Sequence, residues 1–104
     1  MHIISRKKII DFCSKHPEAG KALDQWYRIV KRTDFKSFWE VKNVFPSAEH
    51  VKRFVVFDIG GNKYRLVASL MYKVKRLYIR HVLTHSEYDK EKWKEDEWFA
   101  NTRK

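Results

Sequence analysis

Phe54-Val55-Val56-Phe57-Asp58-Ile59-Gly60-Gly61-Asn62-Lys63-Tyr64-Arg65-Leu66-Val67-Ala68-Ser69-Leu70 sets two apolar, β-rich runs on either side of the chain's only Gly-Gly pair. Gly60, Gly61 and Asn62 tolerate the positive φ of tight turns, so the stretch reads as a β-hairpin. Alternation then sorts the side chains. Val55, Phe57 and Ile59 share one face of the first strand, and Phe54, Val56 and Asp58 share the other. On the return strand Leu66, Ala68 and Leu70 oppose Arg65, Val67 and Ser69. A two- or four-residue turn aligns Phe57 and Ile59 with Leu66 and puts Arg65 on the side of Asp58. A three-residue turn would drive Arg65 into the core, where an unpaired charge is costly.

Leu77–Leu83 is a further strand, with Leu77, Ile79, His81 and Leu83 alternating against Tyr78, Arg80 and Val82. If Ile79 packs inward, parity puts Arg80 on the non-core face with Arg65. Asp58 is a cross-strand partner for Arg65, a pairing worth about 0.2–1 kcal/mol. No comparable local partner is evident for Arg80.

The 104 residues predict one domain. The net charge of +10 calls for an anionic partner: nucleic acid, a phosphorylated ligand, a membrane surface or an acidic protein. From Glu87 onward there are five Lys/Arg against six Asp/Glu, leaving residues 1–86 with eighteen against seven. The positive field therefore belongs to the body of the chain. The single cysteine, Cys13, permits no internal disulfide and fits a reducing, cytoplasmic setting, where it reads as a small buried apolar residue. Met1–Ile4 is too short for a signal-peptide core, and no run reaches membrane-spanning length, so no membrane association is expected.

Upstream of the hairpin, Met1–Ile4 reads as an edge strand, and Ser5 as the N-cap of a helix to about Lys15. Pro17 suits the first position of a second helix, which buries Leu23, Trp26 and Val30 and runs to about Lys31. Lys21, Arg28, Lys31 and Arg32 fall on its outer face, either solvated or facing RNA or an acidic partner. Ser37 to Glu40 has capping-box spacing ahead of a third, short helix that ends before Pro46. Pro46–Arg53 reads as a polar, basic loop. Downstream, Thr84–Lys90 reads as a strand end and loop, a natural place for chemistry on a rigid sheet. Glu91–Lys104 alternates charges around Trp93, Trp98 and Phe99, as a short helix that frays or a tail of the same domain.

His81 and His85 are four apart, but a strand-to-loop segment does not bring them onto one helical face, so no metal site is expected. Gly60-Gly61 lies in a hairpin and not before a helix, so it is no phosphate loop. What remains is an arginine-bearing sheet face with His85 and Tyr88 at its rim. For phosphodiester cleavage that set suffices in principle: arginine neutralises charge growing on the phosphate, and His or Tyr moves a proton. RNA supplies its own nucleophile, the 2′-hydroxyl.

Phe-Asp-Ile-Gly-Gly-Asn-Lys-Tyr-Arg-Leu (57–66) followed by Tyr-Ile-Arg-His-Val-Leu-Thr-His-Ser-Glu-Tyr-Asp (78–89) resembles the HigB-type toxins of bacterial toxin–antitoxin modules, in the RelE/ParE superfamily. The likeness extends upstream through Met-His-Ile-Ile-Ser-Arg-Lys, the His-Pro…Trp-Tyr helix and Val-Lys-Asn-Val-Phe-Pro-Ser, so it covers roughly residues 1–90 as the toxin domain and leaves 91–104 as a C-terminal extension. It implies an α+β fold with two or three N-terminal helices on a small twisted, mainly antiparallel sheet. It implies an mRNA interferase that cuts messages in the ribosomal A site without a cofactor. It also implies an antitoxin with a helix-turn-helix domain, and operator DNA bound only by the toxin–antitoxin complex.

By the resemblance, Arg65 matches the sheet arginine that contacts the scissile phosphate, and Tyr88 an aromatic that positions RNA or transfers a proton. His85 falls near a basic or histidine position of related toxins. Arg80 joins them by strand parity. Lys52, Arg53, Asn62, Lys63 and Lys90 are the expected RNA-backbone contacts, with mRNA and the ribosome as partners. The chain departs from some RelE-type toxins in having Val56 and Asp58 where those carry two lysines. Lys63, His85, Tyr88 or a ribosomal group could take over the proton transfers. A ParE-like toxin acting on a protein target and a non-enzymatic RNA-binding protein are the alternatives.

Overall fold

Strand β1 (His2–Ile4) leads into helix α1 (Lys7–Lys15), and a 3-10 turn, Pro17–Ala19, runs straight on into α2 (Gly20–Lys31). Helix α3 (Phe38–Val44) and strand β2 (Glu49–Val51) precede the hairpin of β3 (Phe54–Ile59) and β4 (Tyr64–Met71). Strand β5 (Arg76–Thr84), helix α4 (His85–Asp89) and a 3-10 turn at Lys92–Glu95 are the last elements among the described residues. This computed structural model describes residues 1–99, so the end of the expected C-terminal tail, 100–104, lies outside the described residues.

The turn between β3 and β4 has four residues, Gly60 to Lys63, with Gly60 and Gly61 at φ 63° and 71°. Its register pairs Phe57 with Leu66 and Asp58 with Arg65, as the alternation requires. The sheet order is β1-β5-β4-β3-β2, antiparallel throughout except where β1 runs parallel to β5. This is the expected α+β architecture: helices on a small, mainly antiparallel sheet.

Each sheet face has its own core. One face buries Val55, Phe57, Ile59, Leu66, Ala68 and Ile79 beneath α1 and α2, which contribute Phe12, Leu23, Trp26 and Val30. Trp26 and Phe45 both meet the Phe57 ring edge-on, at 5.4 and 5.2 Å. The second face buries Phe54, Val56 and Val67, and its cover is the C-terminal segment, through Trp93, Trp98 and Phe99. Trp93 is 4% exposed. That segment is a strap of turns with one four-residue 3-10 helix.

Several local expectations change. Ser5 does not cap α1: it takes a left-handed φ of 76°, and its carbonyl, not its hydroxyl, accepts the Lys8 amide. Ser37 occupies the N-cap position of α3, but its side chain makes no cap bond, and Glu40 reaches past it to accept the Lys36 amide. Trp39 stands 75% exposed on that helix. The Pro46–Arg53 loop contains β2, whose backbone pairs with β3 from Glu49 opposite Val56 to Val51 opposite Phe54. Thr84 is the expected strand end, but His85–Asp89 is a helix rather than a loop. Thr84 Oγ1 accepts the Glu87 amide while the Glu87 carboxylate accepts the Thr84 amide, a complete capping box.

The alternation in β5 breaks at Arg80. Val67 pairs with His81 and Ala68 with Ile79, which leaves Arg80 as the extra residue of a bulge. Leu77 and Ile79 stay on the helix-covered face, but beyond the bulge it is Val82 that packs there and Leu83 that joins the opposite core. His81 therefore leaves the inward set in which simple parity places it. Arg80 and His81, consecutive in sequence, both turn to the strap-covered face.

Candidate active site

The hairpin end of the second sheet face gathers the expected residues most closely. Arg65 Nε lies 3.1 Å from Asp58 Oδ1, its register partner on β3. Nη2 donates to Asn62 Oδ1 at 2.7 Å, and Nη1 donates to the carbonyls of Asn62 and Tyr64 at 3.3 and 3.2 Å. The turn residue Asn62 thus orients the arginine that follows the turn. The guanidinium also sits over the Tyr88 ring, 5.4 Å from its centroid, within cation–π range. Five contacts from three directions leave Arg65 little rotamer freedom, the kind of fixed donor that electrostatic catalysis needs.

Helix α4 brings His85 and Tyr88 to the same rim. The His85 amide donates to the Lys63 carbonyl at 3.0 Å, which docks the start of α4 onto the hairpin turn. His85 Nδ1 lies 2.9 Å from Asp89 Oδ2, one helical turn on. Tyr88 stacks on Trp93 with centroids 5.1 Å apart and planes within 10°, and Trp93 Nε1 donates to the Tyr88 carbonyl at 3.0 Å. Burial, with the Glu49 carboxylate adding to it, raises the Tyr88 hydroxyl above its ordinary pKa. At neutral pH it is a proton donor and not a base. Arg65, Asn62, Lys63, His85 and Tyr88 therefore share one end of the sheet.

The other expected residues lie elsewhere. Arg80 has a partner that its own strand does not disclose. Its Nε and Nη2 grip Asp96 Oδ2 and Oδ1 at 2.9 and 2.8 Å, and its guanidinium lies 3.7 Å from the centroid of Trp98. His81 Nε2 completes the clasp, 2.9 Å from Asp96 Oδ2. Asp96 is 4% exposed. Burial works to raise its carboxyl, but Arg80, the Trp98 amide and His81 outweigh it and hold the pKa down to about 2. An ionised carboxylate can only accept, so His81 Nε2 carries the proton and Nδ1 is left as an acceptor on the neutral ring. Burial pushes the His81 pKa down, against the pull of Asp96 and with the help of Lys8 and Arg80. Lys52 and Arg53 stand at the opposite end of β3, about 20 Å along the strand from the turn. The Arg53 amide donates to the Phe99 carbonyl there. Lys90 follows α4 and lines a groove shared with His81 and Lys92. Among the described residues no three His, Cys, Asp or Glu side chains converge on a point that could hold a metal ion.

Sequence reasoning missed His81, Trp93 and Asp96. The aromatic spacing of 91–99 marks anchors but not what they cover, and one aspartate among alternating charges carries no signal for a clasp.

A family described as HigB_toxin, the RelE-like toxic component of a toxin–antitoxin system, matches residues 19–91. The chain belongs to the HigB toxin family. An mRNA interferase HigB from Escherichia coli O6:H1 is 37% identical over 93 residues, spanning 86% of this chain and 90% of that protein. The mRNA interferase toxin HigB of Escherichia coli K12 and the mRNA interferase HigB of Shigella flexneri are each 36% identical over 92 residues, spanning 86% of this chain and 88% of theirs. Arg65, His85 and Tyr88 lie inside the matched span, and Trp93 and Asp96 lie beyond its end. No helix among the described residues is long and apolar enough to cross a membrane.

Proposed function

We propose that the chain is an endoribonuclease that cuts messenger RNA in the ribosomal A site, and that an antitoxin with a helix-turn-helix domain neutralises it. The observation that carries this reading is the fixed Arg65, with the protonated Tyr88 against its guanidinium and His85 docked on the same turn. The relatives named as mRNA interferases support it.

The 2′-hydroxyl attacks the adjacent phosphorus while His85 takes its proton. The P–O5′ bond breaks, and the Tyr88 hydroxyl protonates the departing 5′-oxygen. The products are a 2′,3′-cyclic phosphate and a free 5′-hydroxyl. Arg65 neutralises the charge that builds on the phosphate oxygens. Asn62 and Asp58 hold Arg65 in place, and Lys63 adds a cation beside the turn. Arg80 grips both oxygens of Asp96 and lies on Trp98, so its part is to anchor the strap behind the site. Operator DNA is a partner of the toxin–antitoxin complex only.

Translating ribosomes treated with wild-type protein or Arg65→Ala test the reading. New message ends bearing a 5′-hydroxyl should appear with the wild type and be largely absent with the variant. Equal cleavage by both would remove Arg65 from the mechanism. Arrest of growth with no new message ends would favour a ParE-like action on a protein target.

A further inference from the structure

Strand β1 covers only the start of β5. Its last pair is Ile4 with Tyr78, so among the described residues no strand pairs with the outer edge of β5 from Ile79 to Thr84. Helix α1 runs alongside that stretch, and a groove of about 300 Å³ lies between them, with Lys8, Lys15 and His16 on one wall and Arg80–Leu83 on the other. A second groove of about 400 Å³ continues it. The two share His81, Leu83 and Glu87, and the second adds Lys90, Lys92 and Trp93.

The charges of this channel do not cancel. Its lining holds four lysines against two carboxylates, Asp11 and Glu87, and Asp11 is already paired with Lys7 at 3.0 Å. Lys8, Lys15, Lys90 and Lys92 are exposed, and among the described residues none lies within ion-pair distance of a carboxylate. Lys8 and Lys15 stand two turns apart on one face of α1, about 10 Å along its axis. The His16 ring, stacked on Phe12 at 4.6 Å, gives the channel an aromatic surface at its far end. The exposed large apolar side chains of the molecule, Ile10, Trp39, Val44, Met71 and Val74, all lie outside it. A cationic channel without an exposed apolar anchor fits a phosphodiester backbone better than an amphipathic helix, which needs such anchors.

We propose that this channel, from Lys90 and Lys92 past His81 to Lys8 and Lys15, is a second RNA-binding track that holds the strand beyond the Arg65–Tyr88 site. It rests on the reading that the chain acts on RNA. The connection between site and track is α4, five residues that carry Tyr88 to the hairpin side and Glu87 to the channel. Arg80 and His81 set the floor of the track because Asp96 holds both.

The test is binding of a 2′-O-methylated single-stranded RNA 20-mer, which cannot cleave itself, across a salt series. Compared are wild type, Lys8→Glu/Lys15→Glu, Lys90→Glu/Lys92→Glu, and the control Lys36→Glu/Lys73→Glu, which lies outside both grooves. All six lysines are exposed, so the folds should survive, and circular dichroism checks this. Each channel pair should weaken binding about tenfold or more and lower the salt slope by about 1.4, the value for two phosphate contacts on a single strand, while the control changes little. Wild-type affinity in the channel variants, or an equal loss in the control, overturns the track. Unchanged RNA binding with lost capture of the antitoxin assigns the channel to a protein and also overturns it. Failure of the nuclease reading is separate: message would stay intact on ribosomes while the channel variants still lost oligonucleotide binding.

Discussion

Two arginines face the same side of the sheet, each against an aspartate, yet they do different work. Arg65 meets Asp58 across a β ladder, and the turn residue Asn62 and the Tyr88 ring complete its setting. Arg80 meets Asp96 from sixteen residues downstream, bidentately, with His81 on the same carboxylate and Trp98 on its face. The first pair is built from neighbours at the hairpin end, with the Arg65 side chain 11% exposed and the Asp58 side chain 27%. The second joins two distant segments and closes the cover of a core. An arginine's role follows from where its counter-ion comes from, and not from the strand face it occupies.

The comparison is broken most severely at Arg65. Arg65→Ala should lower message cleavage by about a hundredfold or more, the scale of losing one charge-stabilising donor. Its melting temperature should move little, because a cross-strand ion pair contributes only about 0.2–1 kcal/mol. Asp96→Ala should do the reverse. It strands Arg80 and His81 beneath the strap, and removing one member of such a pair costs about 3 kcal/mol, or roughly 10 °C or more in Tm. Cleavage by its folded fraction should fall less than in Arg65→Ala. Thermal unfolding and ribosome cleavage on the same two variants check both halves. Equal profiles would erase the distinction between the pairs.

Acid should loosen the clasp around Asp96. The folded pKa values of both His81 and Asp96 lie below their ordinary ones. Each therefore contributes stability at neutral pH that is lost on acidification. The loss begins as pH falls through about 6.5, where the unfolded chain takes up a proton at His81 and the folded one resists. It deepens between about 4 and about 2, where Asp96 accounts for about 2 kcal/mol. Urea unfolding from about pH 7 to about pH 2 should show a two-part decline, with Asp96→Asn flattening the lower part and His81→Gln the upper.

The same contrast explains what could be read in advance. The hairpin register was legible because its signals agree: alternation, a Gly-Gly turn, and a charge that has to avoid the core. Arg65 and its partner Asp58 followed from that register, and Tyr88 and His85 from the likeness to related toxins. The bulge at Arg80 was not legible, since one extra residue reverses every later side chain and leaves no mark in composition. Strand β2 is three residues, Glu-His-Val, held by backbone pairing and not by an apolar pattern. The clasp depends on Asp96, whose partners lie fifteen and sixteen residues away, beyond the reach of any local rule.

The smallest effects come from two helix starts with the same spacing and different outcomes. Ser37-x-x-Glu40 and Thr84-x-x-Glu87 both spell a capping box. Only the second forms: Thr84 Oγ1 accepts the Glu87 amide at 3.1 Å, and the Glu87 carboxylate accepts the Thr84 amide. Ser37 makes no side-chain cap bond: the Glu40 amide donates to its carbonyl at 3.2 Å, and the Glu40 carboxylate accepts the Lys36 amide. Thr84→Ala should therefore cost about 1 kcal/mol, the usual worth of an N-cap side chain, and Ser37→Ala only a few tenths. Thr84 also stands where β5 hands the chain to α4, so loosening that cap should blur the placing of His85 and Tyr88 against Arg65. Thr84→Ala should lower cleavage severalfold with message binding intact, while Ser37→Ala leaves it at the wild-type rate. Matching losses from the two substitutions would mean that α4 is held by its packing on Trp93 and not by its cap.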